Sequence, residues 1–231
     1  MTLCYQIPKH AKEKSMRFRK CLVSGLLLVF MFDMTHGATV DLGVNLTRQS
    51  LQAEPAGKTE NIGKMEGDFS VWPTILIRSN DAFFTDSHWG YSYEFIAGKF
   101  NIDKQEVEGE QLDLGTEVEG YYAYLIPMFY YKIGQIDNNE RTSWNTTLGL
   151  GIGIGYLNLD GDMIMTEVNS NIKKNVSGSG IGMSVGLYIE FDNNDWFIRI
   201  SNYAPEVEIR EFNLMLHNVS MIFGRRIEFD I

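Results

Sequence analysis

The segment Trp144–Tyr156, WNTTLGLGIGIGY, alternates between two kinds of residue along its whole length. One phase is mostly apolar with an aromatic residue at each end, and the other phase is small or polar. A period of two places successive side chains on opposite faces of a β-strand. About twelve steps of 3.3 Å, tilted by about 40°, cover about 30 Å, which matches the hydrocarbon core of a bilayer. The segment therefore predicts a membrane-spanning β-strand.

The same alternation recurs along most of the chain after residue 37. In residues 178–191, for example, one face is apolar and the other is rich in glycine. Candidate strands lie at 38–48, 68–79, 88–100, 117–133, 143–159, 178–191, 195–203 and 212–229. We therefore predict an all-β fold, a closed antiparallel up-and-down transmembrane β-barrel of eight strands, formed by a single domain over residues 38–231.

The connections between these strands support the barrel. The odd-numbered connections are mostly long and polar, whereas the even-numbered ones are shorter, as expected when consecutive hairpins open at opposite rims. Asp192-Asn193-Asn194 is a tight-turn sequence. If both termini lie in the periplasm, the first, third and fifth connections face outside, and the seventh, residues 204–211 with Pro205, forms a shorter external loop.

Three features leave local questions open. Pro73 and Pro127 fall inside proposed strands, where proline cannot donate a ladder hydrogen bond, so each marks either a bulge or a wrong boundary. Residues 117–133 are apolar in both phases, so their facing is undecided. The last strand switches phase along its length, which a bulge near Asn218 would explain.

Residues 1–37 have the organisation of a secretory signal peptide. Six basic residues precede the uncharged apolar run Cys21–Phe32, and small residues follow near Gly37. This order predicts cleavage after Gly37, with Met16 as an alternative start of translation. Both cysteines lie in this leader, so the predicted mature chain has no thiol or disulfide chemistry.

Charge and hydropathy exclude two classes of protein. The leader holds 6 of the 20 basic and 2 of the 30 acidic residues, so its removal changes the formal net charge from −10 to −14. Nucleic acid is not an expected partner, because its binders need basic surface to displace counterions. A mean hydropathy of −0.16 is too low for a polytopic helical membrane protein, whereas alternating barrel strands average to a polar value.

The signal peptide, the alternating strands and the alternation of long and short connections resemble the small outer-membrane β-barrels of Gram-negative bacteria. The OmpA-type transmembrane domain and OmpX share this layout, and the resemblance covers residues 38–231 without a specific motif. It implies an outer-membrane location and insertion by the barrel-assembly machinery. In this class the last strand ends in an aromatic residue that is recognised during assembly, whereas this chain ends in Ile231.

Catalytic motifs are weak or absent. We find no histidine or cysteine spacing suited to a metal, and the glycines of residues 149–155 lie in a strand rather than in a phosphate-binding loop, so we predict neither metal nor cofactor. Arg199-Ile200-Ser201-Asn202 faintly resembles the His-x-Ser-Asn stretch of outer-membrane lipid A deacylases. Arginine stands where the histidine base is needed, so we predict no enzymatic role.

Two groups of residues are candidates for a functional site. Four charged residues fall on the strand faces opposite the apolar ones and should point into the lumen: Arg78, Glu94, Glu190 and Arg199. We expect them to pair and close the lumen, with an ion path as the alternative. Five aromatic residues near strand ends are predicted interfacial anchors: Trp72, Trp89, Trp144, Tyr156 and Trp196.

These observations predict a monomeric, non-enzymatic outer-membrane barrel with a structural or surface-interaction role. Outer-membrane lipid, including lipopolysaccharide, is the expected partner. The alternative is a periplasmic lipocalin-like barrel that binds an apolar ligand. That alternative requires the apolar faces to turn inward and the glycine faces to turn outward.

Overall fold

The computed structural model describes residues 38–55, 63–79, 82–83, 88–107, 110–112, 115–133, 144–167, 170–193 and 195–229. The predicted signal peptide and the last two residues lie outside these ranges. The regular structure within them is β-strand. Across the described residues, no helix is long and apolar enough to cross a membrane.

Eight long strands form the wall of a barrel. They are β1 (Ala38–Pro55), β3 (Ser70–Ser79), β5 (Trp89–Ile102), β8 (Val118–Ile133), β9 (Asn145–Glu167), β11 (Gly178–Asp192), β12 (Trp196–Ile209) and β13 (Phe212–Phe229). Five short strands extend the sheet at the connections, namely β2 (Gly63–Glu66), β4 (Ala82–Phe83), β6 (Lys104–Val107), β7 (Glu110–Leu112) and β10 (Ser170–Asn175).

Neighbouring long strands pair antiparallel, and β13 pairs with β1 to close the ring. The predicted eight-stranded up-and-down barrel is therefore confirmed. Ala38 stands opposite Phe229, so both ends of the described chain lie at one rim.

The hydrogen-bond register climbs along the strands as it passes round the ring. The path of successive partners is Val40, Ile77, Phe95, Leu125, Ile154, Met183, Glu206, Met215 and Gln52. It returns to β1 at residue 52, twelve residues beyond its start at residue 40. Such a stagger tilts the strands against the barrel axis, and an eight-stranded barrel of this kind has an interior that side chains can fill.

In the half of the barrel nearer the termini, apolar side chains face outward and small or polar ones face inward. Val44, Phe129 and Leu150 are more than half exposed, whereas the glycines of residues 149–155 are buried in the lumen. In the segment 117–133 the even-numbered residues face inward, which settles the undecided facing. The lipocalin-like alternative is contradicted by this facing, because it requires the opposite arrangement.

In the other half of the barrel the arrangement is reversed. The inward side chains there form an apolar core that includes Leu51, Met65, Leu159, Met163 and Leu214. The outward positions of the same strands become polar or charged, among them Arg48, Glu119, Asn158, Asp160 and Glu206. This half, which we call the upper half, is therefore built like a water-soluble barrel. The lower half, nearer the termini, faces lipid.

The apparent phase switch of the last strand is a consequence of this reversal. The register of β13 with β1 is continuous from Ala38↔Phe229 to Pro55↔Phe212, so the predicted bulge near Asn218 is absent. Phe212, Leu214 and Leu216 face the upper core, whereas Met221 and Phe223 face lipid.

The predicted external loop at 204–211 is also wrong, because β12 continues to Ile209 and a two-residue turn at Arg210 and Glu211 leads into β13. Arg210 has φ 55°, the left-handed conformation that such tight hairpin turns require. At the opposite rim, the side chain of Asn193 accepts a hydrogen bond from the backbone N–H of Trp196 at 2.9 Å, within the predicted tight turn.

The prolines interrupt the ladder without shifting it. On either side of Pro127 the pairs Leu125↔Ile154 and Met128↔Gly151 keep one register, so no bulge is present. Pro73 remains opposite Val44 of β1, but the pairing of β3 with β5 is confined to four pairs that begin at Ile75↔Ala97.

The short strand β2 pairs with the upper part of β1, near the short contact between β3 and β5. Arg48 donates a hydrogen bond to Glu66 at 2.8 Å, and the backbone N–H of Gly67 donates to the carbonyl of Gln49 at 2.8 Å. Lys64, with help from Arg48, holds the pKa of Glu66 below its ordinary value against the opposing effect of partial burial. The contribution of this ion pair to folding is therefore present above the ordinary carboxyl pKa and is lost as pH falls through the lowered value.

The inward glycines make room for tyrosine rings on the adjacent strands. In four pairs the ring of a lumen-facing tyrosine lies against the glycine directly opposite it: Gly90↔Tyr130, Gly98↔Tyr122, Gly149↔Tyr188 and Gly186↔Tyr203. A Cβ atom added at any of the four would approach the opposing tyrosine closer than 3.0 Å. The glycine rows are therefore a packing requirement of the lumen.

We expect Gly149→Ala to lower the free energy of unfolding by about 1–3 kcal/mol, the usual cost of overpacking a filled interior. The added methyl group would push the ring of Tyr188 against the guanidinium group of Arg199, which packs 3.9 Å from the ring centroid. Urea titration in lipid vesicles measures the change. Ser179→Ala, on the exposed face of β11, is the control. Equal stabilities of the two variants would contradict the packing requirement.

Candidate functional site: an ion-pair cluster in the lumen

The four charged residues predicted to face the lumen are brought together in its interior. Arg78 lies on β3, Glu94 on β5, Glu190 on β11 and Arg199 on β12, and each is at most 5% exposed. The alternation of each strand explains the placement, since Glu94, Glu190 and Arg199 each stand between two apolar residues of the opposite face and Arg78 follows Ile77. The structure thus places all four of these side chains in the lumen.

Arg199 is the largest fully buried side chain and makes the most extensive contacts in the cluster. Its two terminal nitrogens donate to the carboxylate of Glu94 at 2.9 and 3.0 Å, and its Nε donates to Glu190 at 2.7 Å. The hydroxyl of Tyr203 donates to Glu94 at 3.1 Å. Two-pronged pairing of this kind fixes both the position and the plane of the guanidinium group.

Glu190 is the centre of the cluster, because its carboxylate meets three arginines. Besides Arg199, it accepts hydrogen bonds from Arg78 at 3.2 Å and from Arg226 at 2.6 Å. Arg78 and Arg226 also share Asp41, which lies on β1. The cluster thus links side chains of six of the eight wall strands.

Two of the bridges run across the full width of the lumen. In the ring of eight strands, β5 and β12 are four strands apart, and so are β3 and β11. The Glu94–Arg199 and Arg78–Glu190 pairs therefore join opposite walls. Side chains crossing in this way obstruct the lumen at the level of the charged layer.

Sequence reasoning missed three members of the cluster: Asp41, Asp192 and Arg226. Asp41 could have been found by the same rule as the others, since it stands between the outward residues Val40 and Leu42. Asp192, 3.7 Å from Arg226, was assigned to the turn, and Arg226 was obscured by the supposed phase switch of the last strand.

The charges of the cluster nearly balance. Three arginines face four carboxylates, and the side chains of all seven are at most 11% exposed. Buried charges are tolerated when they are paired and hydrogen-bonded, whereas removal of one partner leaves a costly isolated charge. Across the described residues, no group of histidine, cysteine, aspartate or glutamate side chains has the arrangement of a metal site.

The stretch that resembles a deacylase motif lies within this polar interior. The hydroxyl of Ser201 is 2.8 Å from that of Ser220, and both side chains are buried. Arg199, at the position where the motif requires histidine, is fully engaged with carboxylates. Ser201 therefore has a hydroxyl as its neighbour rather than a base.

The predicted aromatic anchors occupy two levels of the wall. Trp89, Trp144 and Trp196 are exposed near the rim that carries the termini. Tyr156 is exposed at the opposite boundary, one outward position below Asn158. Trp72 lies near that same boundary, but its ring sits 4.5 Å from Nζ of Lys99, beside a cleft in the wall.

The exterior defines the class of protein. Soluble monomers rarely expose contiguous apolar patches of more than a few hundred Å², whereas here outward apolar side chains surround the half of the barrel nearer the termini. Lipid is the solvent that such a belt requires. The chain is a small membrane-spanning β-barrel protein.

Comparisons with known proteins show a similarity of fold to solved β-barrel structures but no match in sequence. No protein-family model and no curated protein sequence matches the chain. Among solved structures, it is similar to the attachment invasion locus protein Ail of Yersinia pestis, at 12% identity and TM-score 0.39, covering 83% of this chain and 99% of Ail. It is also similar to OprG of Pseudomonas aeruginosa, at 11% identity and TM-score 0.41, covering 85% and 97% of the two chains. A third is the Escherichia coli outer-membrane protease OmpT, at 7% identity and TM-score 0.39, covering 84% and 97%.

Proposed function

We propose that the protein is a non-enzymatic outer-membrane barrel with a structural or surface-interaction role, whose lumen is closed by the ion-pair cluster. The observation that carries this proposal is the pair of bridges, Glu94–Arg199 and Arg78–Glu190, that join opposite walls. A functional channel needs a continuous water path, and a filled eight-stranded barrel has no room for one beside such bridges. The engagement of Arg199 with carboxylates and the contact of the Ser201 hydroxyl with that of Ser220 support a role without catalysis.

The partners proposed for this role are outer-membrane lipid, including lipopolysaccharide, and the machinery that inserts barrels, with the protein acting as a monomer. The polar exterior of the upper half supplies the surface that would face the outside. Its acidic side chains include Glu119 and Asp160, which stand directly opposite each other on β8 and β9. Divalent cations would bridge such carboxylates to lipid phosphates, so surface binding should weaken when a chelator is added.

We expect the wild-type protein to show no discrete conductance in planar bilayers. Heat-modifiable gel mobility of the same preparation verifies that the barrel is folded. The ion-path alternative makes a different prediction, namely discrete conductance that Arg78→Ala abolishes. Observation of that conductance and its loss would overturn the closed-lumen proposal.

A further inference from the structure

The barrel wall has an opening between β3 and β5. Other neighbouring wall strands pair over ten or more positions, whereas β3 and β5 pair over four, from Ile75↔Ala97 to Arg78↔Glu94. Continuation of that register would place Pro73 opposite Lys99. Proline has no N–H to offer the ladder, and the pairing stops just before it.

A cleft of about 550 Å³ fills the space where this ladder is missing. Its lining includes residues from both faces of the wall: Pro73, Lys99 and Tyr121 from the outer face, and Asn45, Thr74 and Tyr122 from the inner face. The cleft therefore enters the wall from outside rather than lying on its surface. Its volume is within the range of about 300–1,000 Å³ that is common for ligand sites.

The height of the cleft along the barrel axis determines which part of a lipid would contact it. Tyr121 and Tyr156 line it, and the next outward residues above them on their strands are Glu119 and Asn158. Below it, Ile75 is more than half exposed on the lipid-facing belt. The opening thus lies at the boundary of the hydrocarbon layer that is distant from the termini, where acyl chains meet polar head groups.

Two polar groups at the cleft are suited to binding the head-group region of a lipid. Lys99 rests over the ring of Trp72, and among the described residues no carboxylate forms an ion pair with it. The amide oxygen of Asn45, which is 4% exposed, has no hydrogen-bond partner within the described structure. A buried acceptor without a donor is costly, and a hydroxyl or amide N–H of a ligand would satisfy it.

We propose that this cleft is a binding site for one lipid of the outer leaflet that carries a phosphate and a hydroxylated or amide-linked acyl chain, the chemistry of lipid A. The acyl chain enters between Pro73 and Tyr122, its hydroxyl or amide donates to Asn45, and its phosphate meets Lys99. Glu119 and Asp160 lie in the adjoining outer groove and face the same head group, so a divalent cation would join its second phosphate to them. The site rests on the proposed partnership with outer-membrane lipid, but it is independent of the closed lumen, since it would bind lipid whether or not the barrel conducts.

The test uses the mature protein, delipidated in mild detergent and mixed with purified lipid A or phosphatidylethanolamine, with retained lipid counted by native mass spectrometry. We expect one lipid A per barrel and little phosphatidylethanolamine. Ala97→Phe, which fills the cleft, should abolish retention, whereas Ala204→Phe on the lipid-facing side of β12 should not. Lys99→Gln should weaken retention about tenfold, as for loss of a charge-assisted hydrogen bond, with Lys173→Gln as the matched control.

Heat-modifiable mobility of every variant verifies folding before lipid is added. Retention by Ala97→Phe equal to that of the wild type would overturn the site. Equal retention of phosphatidylethanolamine, which has a phosphate but no hydroxylated or amide-linked chain, would overturn the assignment to lipid A. An unchanged affinity of Lys99→Gln would overturn the contact between Lys99 and the lipid phosphate. A conducting barrel that still retains lipid A would overturn the closed lumen and leave this site standing.

Discussion

Arg199→Met is expected to lower the free energy of unfolding by about 3–5 kcal/mol, the cost of breaking a buried ion pair by removing one partner. Arg199 is the cation that neutralises Glu94, which is 1% exposed and has Tyr203 as its other hydrogen-bond donor. The variant would leave that buried carboxylate without its ion-pair partner, with Tyr203 as the remaining donor described for it. Glu190 is affected less, because Arg78 and Arg226 still contact it.

Urea-induced unfolding in lipid vesicles, followed by tryptophan fluorescence, measures this loss. Arg225→Met is the matched control, because Arg225 lies on the exposed face of β13 next to a member of the cluster, and its variant should remain within about 0.5 kcal/mol of the wild type. The double variant Arg199→Met, Glu94→Gln removes the isolated charge and should recover a large part of the loss. A loss in the double variant equal to the sum of the single losses would show that the two residues are not coupled.

The barrel could be predicted from sequence because its signal is simple. Leu148, Leu150 and Ile152 alternate with glycines, and a period of two over so many residues indicates a β-strand with two different faces. The facing of Arg78, Glu94, Glu190 and Arg199 followed from the same period. Their partners required distances across the lumen, which strand periodicity does not contain: Glu94 and Arg199 are 105 residues apart in the chain.

The upper half of the barrel was not predicted, because the meaning of the alternation reverses there. Below the boundary a large apolar residue such as Met221 faces lipid, and above it Leu214 faces the core. A sequence pattern records which residues share a face, but not whether water or lipid lies outside that face. The strands were therefore ended too early at residues 48, 159 and 203, where the outward residues become polar.

The cleft escaped sequence reasoning for a related reason. Pro73 was recognised as incompatible with an unbroken ladder, but its position relative to both neighbours decides the outcome. Pro73 keeps its place opposite Val44 of β1, whereas pairing to β5 is lost from that point upward. Pro127, in a similar sequence context, leaves the register on both of its sides intact. Trp72 was predicted to be an interfacial anchor, and its place beside Lys99 depends on this local opening.

Asparagine placed at three positions of β13 should show where the lipid-facing wall ends. Leu214 is buried in the upper core, Met215 lies on the upper exterior, and Met221 is exposed on the lower belt. We expect Leu214→Asn to lower the free energy of unfolding by about 2–5 kcal/mol, because it removes core packing and buries an amide without a partner. Met221→Asn should cost about 1–3 kcal/mol, because lipid offers its amide no hydrogen bond.

Met215→Asn should change the free energy of unfolding by no more than about 0.5 kcal/mol, because the side chain of residue 215 meets water. This variant tests whether the upper half has its polar face outside and its apolar face inside. If the lipid-facing wall continued to the upper rim, Met215→Asn would cost as much as Met221→Asn. If the upper lumen held water instead of a core, Leu214→Asn would be tolerated. The three urea titrations in the same vesicles thus assign a solvent to each side of one strand, which the alternation of its residues cannot do.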